Sequence, residues 1–278
     1  MLSYQHAYHA GNIADVHKHL ALHGVIDHLL RKDSGITYID THAGRGAYSV
    51  TAPEMARGLE YEDGVAPLMR MTPHHPLLSE WLLRLGQQQD NPQKLMFYPG
   101  SPWWLADRLR AQDRLELFEL HPGEFTHLEH QTFLARAQCR QTDGLAGVVA
   151  RLPSSTPRTM VIIDPSFELK QEYSDVAETV SRIQQMARHA IVLIWYPLLP
   201  AARHQELLDQ ISALGVRKVW RSELVRRDPG AQRGMYGSGL LIVNPPWQVP
   251  EQLDDALAEV AGCWGEQAGH TSSWWCPE

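Results

Sequence analysis

The sequence predicts an α/β protein with a mostly parallel, doubly wound sheet, and three observations support that class. Seven short apolar or β-branched runs bounded by turn residues recur along the chain: ITYIDTHAG, RLELFELHP, AQCRQTDG, TMVIIDPS, AIVLIWYP, RKVWRSELV and GLLIVNPP. Most are separated by segments with helical spacing, the alternation expected of parallel strands joined by crossover helices. At 278 residues the chain suits one large domain, or one domain carrying an insertion. In such sheets ligands bind outside the carboxyl ends of the strands, where the crossover direction switches, so residues at strand ends carry the most weight.

The opening residues, MLSYQHAYHAGNIADVHKH, lack a cationic head followed by an apolar stretch, and no apolar run reaches bilayer-spanning length. A cytoplasmic protein is therefore expected, with no membrane partner. Three cysteines, Cys139, Cys263 and Cys276, match neither a zinc motif nor a disulfide framework and point to a reduced compartment. Residues 13 to 31 read as a helix with Ile13, Val16, Leu20, Val25, Leu29 and Leu30 available for burial. His19 and His23, four apart, share a helix face, but no carboxylate or cysteine set completes a zinc site and HExxH is absent, so no metal is expected.

The first strand runs into DTHAGRG, Asp40 to Gly46, whose glycines permit a tight turn and close approach of backbone to a ligand. An acid at the head of this turn suits a cationic cofactor better than a pyrophosphate. In a nucleotide-binding βαβ unit the acid ending the second strand follows after about 20 residues. Here Glu119 follows Asp40 by 79 positions, with helical patterns near Pro53 to Met71 and Pro76 to Gln88 in between. Residues 48–95 are accordingly read as an inserted helical subdomain, and residues 1–47 and 96–278 as the main domain.

Ser101, in PGSPWWLADRL, reads as a helix cap followed by Pro at the first helical position. Glu119 is placed to accept from vicinal ribose hydroxyls, and Asp143-Gly144, at the third strand's end, to accept from an adenine amino group. The run MVIIDPSFE, residues 160 to 168, resembles the Asp/Asn-Pro-Pro-aromatic motif of enzymes that methylate exocyclic amines. An adenine amine is a poor nucleophile because its lone pair is delocalised into the ring. Asp164 and the carbonyl of Pro165 would accept its two protons and favour a pyramidal nitrogen, while Phe167 would stack on the extruded base, a contact worth about 1–3 kcal/mol. Ser166, in place of proline, loosens the loop without removing either acceptor.

Further along, helical spacing spans Gln171 to Arg188, with Val176, Val180, Ile183 and Ala187 on one face, and Ala201 to Leu214. Although the formal charge is −7, Arg203, Arg217, Lys218, Arg221, Arg226, Arg227 and Arg233 form a basic stretch suited to a phosphate-facing patch. Asn244-Pro245-Pro246-Trp247 matches the amine-methylation motif better by letter. It ends the seventh strand, which should run antiparallel, so it is expected at the opposite face as a strand terminator.

Taken together, MLSYQHAYHAGNIADVHKH, YIDTHAGRGAY, YPGSP, ELHP, TDG, IDPSFE, WYP and SGLLIVNPPW closely resemble, from end to end, the RlmJ family of bacterial methyltransferases, which modify an adenine amine in 23S ribosomal RNA. The resemblance implies a Rossmann-like class I S-adenosylmethionine-dependent methyltransferase fold, with a seven-stranded sheet and a small helical insertion. It implies cofactor contacts at His19, His42, Ser101, Glu119, Asp143, Gly144 and Asp164. Asp164 matches the family's catalytic acid, and Tyr4, His6 and Lys18 match its substrate-facing amino-terminal segment, to which the motif reading adds Pro165 and Phe167. The family usually carries Pro and Tyr where this chain has Ser166 and Phe167, a departure that bears on rate and base stacking more than on reaction type. The expectation is a monomer that uses S-adenosylmethionine, releases S-adenosylhomocysteine and acts on 23S ribosomal RNA. The alternatives are an amine methyltransferase acting on DNA or another RNA, and a catalytically weak RNA-binding relative.

Overall fold

Continuous apolar runs such as IVLIWYP make strands that bury both faces, which a sheet covered by helices on each side provides. The computed structural model of the protein describes residues 4–226 and 234–277. Its strands are β1 (Ile36–Asp40), β2 (Ala47–Ser49), β3 (Phe97–Pro99), β4 (Arg114–Phe118), β5 (Ala137–Arg140), β6 (Arg158–Ile163), β7 (Ile191–Leu198), β8 (Val219–Val225), β9 (Gly237–Val243) and β10 (Gly269–Cys276). Its helices are α1 (Ile13–Leu30), α2 (Pro53–Gly58), α3 (Val65–Leu68), α4 (Pro76–Gln87), α5 (Ser101–Asp107), α6 (Pro122–Glu129), α7 (Gly144–Ala150), α8 (Gln171–Met186), α9 (His204–Ala213) and α10 (Val249–Trp264). Among the described residues no helix is long and apolar enough to cross a membrane.

The main sheet has the order β10-β8-β9-β7-β6-β1-β4-β5. Strands β5, β4, β1, β6 and β7 pair in parallel, while β9 runs antiparallel to both β7 and β8. The crossover direction reverses between β1 and β6, which opens a crevice at their carboxyl ends. All seven candidate strands are present, but the sheet has eight, one more than expected. The eighth, β10, pairs antiparallel with β8 at the edge and carries GHTSSWWC, mostly exposed or half-buried and poor in branched apolar residues. An edge strand of that composition has no hydrophobic run to announce it.

Helix α1 is capped by Asn12, whose side chain accepts from Ala14 N at 2.9 Å and Asp15 N at 3.1 Å. Of the six positions proposed for burial five are buried and Leu30 is half-buried. The helix also buries His17, Lys18, His19 and His23, because it is packed against β9, α5, α4 and α10. Helix α8 places Val176, Val180 and Ile183 in the core and ends at Met186, with Ala187 as its cap, two residues short of the expected Arg188. Helix α9 is shorter than its pattern, as helix ends commonly are.

Between β1 and β4 the chain leaves the main sheet. Strands β2 and β3 pair antiparallel as a ribbon, Ala47 opposite Pro99, and α2, α3 and α4 lie between them in sequence. Helix α4 buries Leu77, Leu78, Trp81 and Leu85 towards α1 and α10, and Trp264 of α10 donates its indole N–H to Gly64 O at 3.0 Å.

Candidate active site

A cleft of about 1020 Å³ opens at the carboxyl ends of β1, β4, β5, β6 and β7. The residues assigned above to catalysis, cofactor or substrate all line it: Tyr4, His6, Lys18, His19, His42, Ser101, Glu119, Asp143, Gly144, Asp164, Pro165 and Phe167.

One side is built around the glycine turn. Gly44 (φ 58°) and Gly46 (φ 77°) adopt the left-handed conformation that glycine alone enters at no steric cost. Gly44 N donates to Glu119 Oε2 at 2.8 Å and His121 N to Glu119 Oε1 at 2.7 Å. Burial raises the Glu119 pKa even against these two donors. Arg45 leaves the turn sideways, pairing with Glu124 at 2.9 Å and Glu54 at 3.1 Å, which fixes the turn between α6 and α2. Asp40, at the end of β1, is fully buried; Oδ1 accepts from His42 N at 3.1 Å, the Ser101 hydroxyl is a further partner, and Oδ2 has none. Burial pushes its pKa up to about 7.

Ser101 is not the helix cap that its sequence context suggests. Gly100 is the N-cap, in extended conformation, and Ser101 is the first residue of α5, where its hydroxyl helps offset the effect of burial on Asp40. Asp143 is a cap, accepting from Leu145 N at 2.9 Å. Gly144 lies against the β1 turn so closely that a Cβ there would sit 1.9 Å from Thr41 O, which makes glycine a packing requirement at this position. His42 is bonded to the Thr41 hydroxyl at 2.7 Å, and burial pushes its pKa down to about 4, so it is neutral near pH 7.

The other side joins β6 to α1. Lys18, 4% exposed, contacts Asp164 and lies 3.0 Å from Asp15. Asp15 also accepts from Gly11 N at 2.8 Å and is bonded to His6 Nε2 at 2.9 Å. Burial works to raise the Asp15 pKa, but His6, Lys18 and His19 outweigh it and hold the carboxyl well below the usual range. For Asp164 burial wins and the pKa is raised despite Lys18. Burial opposes the charge on Lys18, yet the two carboxylates drive its pKa up. His19 bonds Tyr98 OH at 2.8 Å, its Nε2 has no partner, and burial pushes its pKa down to about 3. Tyr4 bonds His6 Nδ1 at 3.0 Å and stacks on His9 with centroids 5.4 Å apart.

Phe167 differs from expectation in one respect. It has φ 52°, is only 6% exposed, and stacks on Tyr173 at 4.4 Å with Trp195 tilted against it at 6.1 Å. One face of the proposed base platform is thus already covered. Sequence reasoning missed Trp195, which lines the cleft from β7, and Asp15, which gathers three partners from one turn of α1 and its preceding loop. A lone aspartate beside an N-cap gives no signal of that role.

Asn244 lies at the opposite end of the strands from the cleft. Its side-chain amide donates to Arg188 O and Ala190 O, just before β7 begins, and Trp247 is 75% exposed. The basic stretch does not form one patch among the described residues. Arg217 and Lys218 sit at that same far end, where Lys218 O accepts from Asn244 N; Arg221 pairs with Glu223; Arg203 is exposed at the start of α9; Arg226 alone lines the cleft. Arg227 and Arg233 lie outside the described residues. Among the described residues no three His, Cys, Asp or Glu side chains converge as metal ligands; His23 instead packs edge-on to Trp104.

The profile of a protein family described as "Ribosomal RNA large subunit methyltransferase D, RlmJ" matches residues 33–277. Ribosomal RNA large subunit methyltransferase J of Escherichia coli is 33% identical over 258 residues, covering 92% of each chain. The protein of the same name from Haemophilus influenzae is 34% identical with the same coverage. A crystal structure of a Legionella pneumophila protein superimposes with a TM-score of 0.88 at 31% identity, covering 96% of this chain and 98% of that one.

Proposed function

The chain belongs to the RlmJ family of large-subunit ribosomal RNA methyltransferases, and from that premise we propose that it transfers a methyl group from S-adenosylmethionine to the exocyclic amine of an adenine in 23S ribosomal RNA. The observation that carries the chemistry is the position of Asp164 and Pro165. They leave β6 at the switch point of the sheet, in one cleft with the glycine turn and Glu119.

The donor set fits the cofactor. Glu119 offers a carboxylate for a ribose diol, Asp143 keeps an oxygen free of its capping bond, and the left-handed glycine turn lets backbone approach closely. His19, on the cleft wall, has a buried Nε2 with no hydrogen bond from the protein. When bound, S-adenosylmethionine supplies a methyl group on a positively charged sulfur. Asp164 and the Pro165 carbonyl accept the two amine N–H bonds and aim the nitrogen lone pair along the axis of displacement. With the cofactor bound there, the methyl group's C–S bond would break as its C–N bond forms, and Asp164, whose carboxyl pKa burial raises, would take the surplus amine proton. Lys18 retains Asp15 as partner while Asp164 engages the base. The part of Phe167 left at the cleft wall beside Tyr173 and Trp195, with the Tyr4 ring, borders the space for the base.

Incubation with labelled S-adenosylmethionine and unmodified large-subunit RNA, small-subunit RNA or DNA, followed by mass mapping, tests the proposal. A single methylated adenine in large-subunit RNA is expected. Label on DNA alone, or bound cofactor without product, would replace this reading with one of the alternatives.

A further inference from the structure

We infer that Glu60 and His9 are positioning residues through which the inserted segment holds the amino-terminal strap, and with it Tyr4, against the methyl-acceptor side of the cleft. The inference rests on the methyl-transfer reading above.

Glu60 lies on a short 3-10 turn, Glu60–Glu62, between α2 and α3. Its Oε1 is bonded to His9 Nδ1 at 2.8 Å, and its Oε2 accepts from Asn12 Nδ2 at 2.9 Å. The hydrogen bond to Glu60 is the main cause of a raised His9 pKa, so the pair is charge-assisted. Asn12 at the same time caps α1, the helix that carries Asp15, Lys18 and His19. The His9 ring is the surface on which Tyr4 stacks, at an interplanar angle of 7°. From Tyr4 the contacts continue through His6 and Asp15 to Lys18 and Asp164.

Two close backbone approaches reinforce the attachment. A Cβ at Gly58 would meet Tyr8 O at 1.9 Å, and one at Gly64 would meet Gly11 O at 2.2 Å. Val65 N also donates to Gly11 O at 3.0 Å. The described residues of the strap have one 3-10 turn, His6–Tyr8, and no strand pairing. A segment with so little structure of its own frays unless tied down. Glu60 supplies that tie with both carboxylate oxygens, and holding Tyr4 in place before RNA arrives reduces the ordering cost of binding.

The test compares wild type with Glu60→Ala, His9→Ala, the double variant and Glu60→Gln, measuring RNA KM, RNA Kd, kcat, cofactor Kd and melting temperature. Each alanine variant should raise RNA KM and Kd by about tenfold, the equivalent of ~1.4 kcal/mol, with cofactor Kd and kcat at saturating RNA within about twofold. The double variant should be no worse than the singles, since both break one link. Glu60→Gln, which keeps one acceptor, should recover part of the loss. Unchanged RNA KM and Kd in both single variants would overturn the inference, as would a parallel loss of cofactor binding and melting temperature. If wild type binds RNA without methylating it, the Kd series still decides the role of Glu60. If wild type neither binds nor methylates RNA, both readings fall.

Discussion

Replacing Asp164 by alanine should separate chemistry from folding, for reasons visible in the charges around it. Asp164 shares the buried Lys18 with Asp15, which stands 3.0 Å from the ammonium. Breaking a buried ion pair usually costs about 3–5 kcal/mol because one charge is left uncompensated. Here the ammonium keeps a carboxylate, so the stability loss should fall below that range. Activity should fall much further. Removing a preorganised charged acceptor at the reacting centre costs about 10²–10³ in kcat, or ~2.7–4 kcal/mol. Asp164→Asn should be nearly as inactive, since its amide presents donors where an acceptor is needed and faces the Lys18 ammonium. Lys18→Met gives the contrasting control: it strands two buried carboxylates and should lower the melting temperature more than Asp164→Ala does. Single-turnover methyl transfer at saturating RNA and cofactor, alongside thermal melts, reads both quantities. An Asp164→Ala protein within threefold of wild-type rate would refute the reasoning.

Asp40, whose pKa burial raises to about 7, binds a proton in the folded state that it loses near pH 4 when unfolded. The fold therefore loses stability as pH rises from about 4 to 7, by an amount on the order of a few kcal/mol. Asp40→Asn should remove that slope, as urea melts at pH 5 and pH 8 would record. Asn244→Ala should leave kcat unchanged while lowering stability by roughly 1–2 kcal/mol through two lost hydrogen bonds, checked by activity and melting together. Arg226→Gln removes a charge at the cleft but keeps a long side chain over Trp264; RNA affinity should fall and its log–log salt slope flatten by about 1 in a binding titration.

The parallel core of the fold was legible because buried parallel strands are runs of apolar residues with acids and glycines at their ends, and those ends are where the cleft opens. Glu119, Asp143 and Asp164 could be found that way. Edge strand β10 could not, since half-exposed positions tolerate Ser, Thr and His. Asp15 was hidden for a different reason, and Lys18 was reached only through the family resemblance. Their charges lie on a helix buried on nearly every side, where no periodicity marks a functional face. Ser101 misled because a Ser-Pro pair fits a cap equally well one position earlier, and only the extended backbone of Gly100 decides it. The contacts of Glu60 join residues some 50 positions apart, a separation that local pattern cannot bridge.

The electrostatics of the cleft also restrict what can enter. Glu60, Asp63, Glu119, Asp143, Asp164, Glu172 and Asp175 line it, whereas Lys18 and Arg226 are the only Lys or Arg on its described wall. Lys18 is already engaged by two carboxylates and cannot compensate the rest. Among the described residues such a wall favours a cationic donor over phosphates. RNA is expected to present an uncharged base there, swung out of its stack while the backbone stays at the mouth. Backbone affinity then rests on Arg226 and on surface beyond the described wall, in a protein of net charge −7 whose described basic residues are scattered instead of pooled. Recognition of the target would rest on whether a base can reach Asp164, more than on general attraction to RNA.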